Sequence, residues 1–154
     1  SGVSRVIAMD YVELTAARLD VETVLAKVGS PDCGAVSIFL GTTRNHFEGK
    51  RVSKLSYEAY APMAKREMLR ICAAVRRQWR VKNIALIHRL GDVPVGEASV
   101  LIAISSEHRQ EAQEAVKYSI DEVKRRVPVW KKEYYEDGGQ EWKENKECFW
   151  IERR

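Results

Sequence analysis

The sequence predicts an α+β domain, and three observations carry that expectation. Strand-like and helix-like segments follow one another irregularly along the chain, judged by apolar residues recurring with a period of two or of 3.6. Two strand-like runs, residues 84–90 and 98–105, are joined across the turn-rich Gly91-Asp92-Val93-Pro94-Val95-Gly96, which argues an antiparallel pair. Irregular alternation with at least one hairpin fits α+β better than a doubly wound parallel sheet.

Taken in order, the first element is a short strand at residues 11–15, followed by a helix over 21–28. Asp20 is placed to accept from the first free amides, Gly29 follows the last turn, and Leu19 can pack on Val24. Residues 35–40 read Ala-Val-Ser-Ile-Phe-Leu, a largely buried strand ending at Gly41, which leaves Arg44 on a loop at a strand end. Residues 46–51 are expected to be a mobile connection. A strand resumes over 52–60 with Leu55, Tyr57 and Ala59 on one face. Pro62 suits the first turn of a second helix reaching Trp79, with Met68, Cys72, Val75 and Trp79 as its core stripe. After the pair at 84–90 and 98–105, Ser105 or Ser106 is expected to cap a third helix, with Glu107 in its first turn. Ala112, Val116, Ser119, Val123 and Val127 mark its buried face, and it ends before Pro128. The last twenty residues hold Gly138-Gly139, Trp142, Cys148, Phe149 and Trp150, too aromatic for a disordered tail and expected to dock on another surface.

The 154 residues suit one domain, with 45% hydrophobic and 31% charged residues. Residues 1–10 carry no convincing pattern and are expected to be an N-terminal extension, Ser1-Gly2 having the look of an expression remnant; residues 11–154 form the single domain with its docking tail. No apolar run approaches a membrane span and no signal peptide is visible. The net charge of +4 favours anionic ligands only where structure focuses it. Three widely spaced cysteines, Cys33, Cys72 and Cys148, make neither a disulfide framework nor a zinc site, so a reducing, cytosolic compartment is expected. Cys72 falls on the apolar stripe and reads as a core thiol.

The most informative stretch is Asp121 to Glu133, where Lys124 precedes and Lys131 follows Pro128. Proline locks its own backbone and pushes Val127 out of the helical region, so two lysines can be held toward one small anion. The plainer alternative is a basic last helical turn complementing the macrodipole, followed by a solvated loop. Arg44 on its loop and His108 with Arg109 at the helix start are further anion-binding candidates. His108 and Lys124 are sixteen residues apart, which a continuous helix converts to about 24 Å. One small ligand cannot touch both within one chain; if both serve one site, two subunits of a symmetric dimer share it. His46, His88 and His108 lack metal-ligand spacing, no metal is expected, and His88-Arg89 reads as structural or as a partner contact.

Five blocks stand out along the chain: Gly41-Thr42-Thr43-Arg44-Asn45, His88-Arg89-Leu90-Gly91, Ser105-Ser106-Glu107-His108-Arg109, Lys124 to Glu133, and Asn145-Lys146-Glu147-Cys148-Phe149-Trp150. With them, the chain from about Tyr11 to Trp150 resembles the family of large, catalytic subunits of molybdopterin synthase, the last block being similar to the eukaryotic branch. The resemblance implies an α/β hammerhead with an additional antiparallel β-sheet. It also implies sulfur transfer to cyclic pyranopterin monophosphate, forming the dithiolene of molybdopterin. The sulfur comes from the C-terminal thiocarboxylate of a small ubiquitin-like partner ending in Gly-Gly, so no cofactor is expected. Two large subunits dimerise, with a small subunit at each end of the heterotetramer.

Carried onto this chain, the resemblance places Arg44, His108 and Arg109 on the pterin and its phosphate, Lys124 beside the partner's C-terminus, and Lys131 as a second essential lysine. Lys132, Glu133 and Lys146 are added as further substrate contacts. Lys146 stands where some relatives have arginine and so makes a less directional phosphate contact. Positive crowding lowers a lysine's pKa and bound phosphate raises it, which suits acid–base work. Lys124 is expected to contact the thiocarboxylate and assist acyl chemistry, Lys131 to assist proton transfer at the pterin.

Two other classes compete. A non-enzymatic module binding RNA or another polyanion needs a continuous basic stripe with exposed aromatics, whereas Glu107, Glu111, Asp121, Glu122 and Glu133 interrupt the basic residues here. A persulfide-carrying sulfurtransferase needs an exposed thiol of lowered pKa at Cys33 or Cys148.

Overall fold

Two sheets organise residues 7–143, the part of the chain that the computed structural model describes. In chain order the elements are β1 (Asp10–Thr15), α1 (Val21–Val28), β2 (Ala35–Thr42), β3 (His46–Phe47), β4 (Lys50–Ala59) and α2 (Ala61–Gln78). Then follow β5 (Ile84–Arg89), β6 (Gly91–Pro94), β7 (Ala98–Ser106), α3 (Arg109–Arg126), β8 (Val129–Tyr135) and β9 (Gln140–Lys143).

The first sheet has the order β1-β5-β7-β2, with β1 parallel to β5 and the other pairs antiparallel. β5 and β7 are central and covered on both faces, which is why their sequences are unbroken apolar runs. Ile84 and Leu86 of β5 and Ile102 and Ile104 of β7 pack against Met68, Ile71, Cys72 and Val75 of α2 and Ala115, Val116 and Val123 of α3. The alternate residues Ala85, Ile87, Leu101 and Ala103 meet Val24 and Val28 of α1 on the opposite face. α1 starts as expected, with Asp20 accepting from the amides of Glu22 and Thr23.

The second sheet runs β3-β4-β8-β9, with β6 on the other edge of β4. It is the additional antiparallel sheet expected beside the α+β core. The segment 91–96 is therefore more than a turn between β5 and β7, since Gly91–Pro94 leaves the first sheet to join the second. A bulge between Val52 and Lys54 shifts the register by one, so Val52 shares a buried face with Leu55 despite the odd spacing.

Several expectations are corrected. Residues 46–51 form a hairpin rather than a loose connection, closed at Glu48 and Gly49, whose φ values of 48° and 79° are the left-handed pair of a two-residue turn. β2 is an edge strand, and Val36, Ile38 and Leu40 remain 40%, 37% and 38% exposed, while α1 packs on the central strands β5 and β7. Neither Ser105 nor Ser106 caps α3: both are buried in β7, His108 is the N-cap residue without a side-chain bond, and Glu107 precedes the helix. Ser106 instead donates to the His108 carbonyl. The boundary at residue 10 falls inside β1, and Met9 already donates to Asn83 and accepts from Ile84.

Candidate functional site

Strand alternation decides which side chains of the second sheet act together. Leu55, Tyr57 and Ala59 of β4 stand opposite Glu133, Lys131 and Val129 of β8, so all six share one face. That face looks across a cavity of about 610 Å³ toward the C-terminal half of α3, the end of β2, and His88 of β5. Phe39, Val100, Val123 and Val127 supply apolar wall, while Arg44, Lys124, Lys131, Glu133 and Lys143 supply charge. A mostly preformed concavity of this size with a few converging polar groups suits a small molecule.

The charges arrive from separate elements. Arg44 follows β2, Lys124 is in the last turn of α3, and Lys131 with Glu133 comes from β8. α3 stops where expected, Val127 donating to the Val123 carbonyl as the extended C-cap ahead of Pro128. The chain then reverses, bringing Lys131 back to the helix end it has just left. The neighbouring cations Arg125 and Arg126 both bind the Glu122 carboxylate, so the helix directs its charge selectively.

Burial lowers the Lys131 pKa; Glu133 opposes that shift, and the positive charges of Lys124, Arg44 and Lys143 add to it. Glu133 is 2% exposed and accepts a 2.5 Å bond from the Tyr135 hydroxyl, which also reaches Glu141 at 3.3 Å. Burial pushes His88 down to about 4, so it is neutral at physiological pH. Its Nδ1 lies 2.8 Å from the Arg89 carbonyl, which can only accept, so Nδ1 carries the proton and Nε2 is an acceptor. Tyr57 meets the His88 ring edge-on at 5.0 Å, and burial raises its hydroxyl pKa.

Of the residues singled out in the sequence, Arg44, Lys124, Lys131 and Glu133 meet in this cavity. Lys132 does not: one residue on from Lys131, it projects from the opposite face of β8, over the rings of Tyr134 and Trp142. His108 and Arg109 lie at the far end of the continuous α3 and are absent from the cavity wall. Lys146 and Cys148 lie outside the described residues. Sequence reasoning missed Tyr57, His88 and Lys143 as cavity residues. The period of β4 marked Tyr57 as inward-facing but could not reveal a cavity instead of core, and His88 looked like strand-end packing.

The thiols offer no activated nucleophile among the described residues. Cys72 is buried and burial pushes it up to about 12. Burial also raises Cys33, the neighbouring Asp32 adding to the shift. No group of three or more potential ligands that could hold a metal ion occurs among the described residues, nor is any described helix long and apolar enough to cross a membrane.

Comparisons with known proteins show the family and the fold. Residues 14–126 match the MoaE protein family. The chain is 57% identical over 142 residues to the molybdopterin synthase catalytic subunit of Bos taurus, covering 92% of this chain and 75% of that protein. A molybdopterin synthase crystal structure from Staphylococcus aureus superposes with a TM-score of 0.81 at 34% identity, covering 85% of this chain and 95% of the other. A chain in a complex of subunits 1 and 2 of molybdopterin-converting factor from Helicobacter pylori shares the fold at a TM-score of 0.71 and 20% identity, covering 90% of this chain and 92% of that one. The chain belongs to the MoaE protein family of molybdopterin synthase catalytic subunits.

Proposed function

We propose that this chain is the catalytic subunit of a molybdopterin synthase, transferring sulfur from the thiocarboxylated Gly-Gly terminus of a small ubiquitin-like partner to cyclic pyranopterin monophosphate. The observation that carries the reading is the convergence of Arg44, Lys124 and Lys131 from three elements on one cavity. Both reactants are anions, and a concave site focuses positive potential on them better than a flat surface would. The same concavity disfavours a polyanion-binding module, whose charges would be spread along an exposed stripe.

The chemistry sets the roles. A thiocarboxylate that surrenders its sulfur and ends as a carboxylate must take an oxygen from water, and a dithiolene needs two such transfers. Lys124, at the cavity's helix wall, holds the thiocarboxylate and assists acyl transfer. Lys131 exchanges protons with the pterin, a task eased by its lowered pKa. Arg44 presents a planar fork to phosphate oxygens. No resident cofactor is called for, since the partner supplies the sulfur, and the cytosol suits the free Cys33 and Cys72.

His108 and Arg109 enter through a second copy. β2 begins beside the start of α3, with Ala35 paired to Ser106, and ends beside the cavity at Thr42. A two-fold axis perpendicular to the middle of β2 exchanges those ends, carrying one chain's His108 and Arg109 to the other chain's Arg44. The half-exposed Val36, Ile38 and Leu40 provide the apolar contact such a dimer buries. A small subunit at each cavity then completes a heterotetramer.

A single-turnover assay with cyclic pyranopterin monophosphate and thiocarboxylated partner, reading dithiolene, tests the proposal. The parent forms product, while Lys124→Ala and Lys131→Ala each lose at least about a hundredfold in rate, the typical worth of a positioned acid or base. Folded parent with competent partner giving no dithiolene would refute the function, and a fully active Lys124→Ala would end its assignment.

A further inference from the structure

Lys143, at the end of β9, has no role in the mechanism above, yet it lines the same cavity. The β8–β9 ladder pairs it directly with Lys131. Side chains in that relation have Cβ atoms about 4.5–5.5 Å apart, and like charges so placed repel. Acidic neighbours moderate the repulsion without cancelling the juxtaposition. Lys143 Nζ binds Glu141 Oε1 at 2.9 Å, and Glu133, two residues from Lys131, adds a further negative charge to the cavity wall. The Lys143 ammonium also lies 4.8 Å from the Phe47 ring centroid, so the β3–β4 hairpin holds it from the other side. Glu141 is itself 49% exposed, so water can replace Lys143 there if the ammonium turns inward.

Two lysines directly opposed in a half-enclosed cavity, with Glu141 drawing Lys143 aside through a direct ion pair and Glu133 and Glu48 acting on it more weakly, make a seat that an anion would complete. We propose that Lys143 contacts substrate, forming with Lys131 a two-ammonium seat for a small oxyanion brought by the pterin's phosphate or by the partner's C-terminal carboxylate group. This rests on the synthase reading. Each ammonium offers three donors without the fixed plane of a guanidinium, so the seat holds charge while Arg44 supplies direction.

The test uses the parent, Lys143→Gln, Lys143→Arg and Glu141→Gln, with thermal midpoints to verify folding. Inorganic phosphate is first titrated calorimetrically into each. Affinity falls about tenfold in Lys143→Gln, the scale of one charge-assisted hydrogen bond, recovers in Lys143→Arg, and rises in Glu141→Gln, where the competing carboxylate is gone. Single turnovers with the partner then separate the sources. A raised half-saturating pterin concentration assigns the seat to the phosphate, and a raised half-saturating partner concentration assigns it to the tail. Unchanged phosphate affinity together with unchanged half-saturation for both reactants in folded Lys143→Gln would overturn the proposal. A parent that binds phosphate through Lys143 but forms no dithiolene would refute the synthase reading and leave the seat standing.

Discussion

His88 illustrates how a residue's neighbours override its type. Histidine ordinarily titrates near 6.5, but burial under Tyr57 and the cavity wall brings this one to about 4. Between those values the unfolded chain binds a proton that the folded chain refuses, so stability rises with pH across that window and is lost as pH falls through it. The full swing is on the order of 3 kcal/mol. Urea titrations from pH 7 to pH 4 should show this loss in the parent and a shallower one in His88→Gln; equal slopes would mean that His88 is not the group responsible. The sequence offered His88 and Arg89 as a pair and could not rank them, because burial is a property of the sheet that closes over them. Lys124 and Lys131 were more legible, since Pro128 between them constrains the backbone locally.

Elements follow the same division between local and distant causes. α1, α2 and the end of α3 were readable because caps, prolines and apolar stripes are written within a few residues. β2 was misjudged because its six-residue apolar run resembles β7, and only the sheet order, set by residues far along the chain, makes one an edge and the other a centre. That error is informative: apolar residues left half-exposed on an edge strand mark a surface awaiting cover. Ile38→Asp should therefore leave the monomer folded while converting the proposed dimer to monomer in sedimentation velocity. Persistence of the dimer would move the interface elsewhere. The 46–51 hairpin was missed for another reason, its turn being formed by Glu48 and Gly49 rather than by the more recognisable Asn-Gly.

At the scale of the whole molecule, the α+β class and the second antiparallel sheet were both anticipated, the first from pattern and the second from resemblance. The sequence could not show that β6 and the β8–β9 hairpin lie in one sheet with β4, which is what turns Lys131, Glu133 and Lys143 toward α3. The cavity thus arises where the two sheets meet, and neither sheet alone would form it.

The length of α3 has a genetic consequence. Because the helix keeps Arg109 and Lys124 at opposite ends, each catalytic centre of the proposed dimer draws one of them from either chain. Chains carrying Lys124→Ala and chains carrying Arg109→Ala should each be inactive alone, yet when unfolded together and reassembled, half of the random pairs are mixed. In a mixed pair one centre inherits both lesions and the other inherits none, so activity should return to about a quarter of the parental level by this two-fold counting. Two defective alleles could then complement each other in one cell, as separate enzymes with self-contained sites cannot.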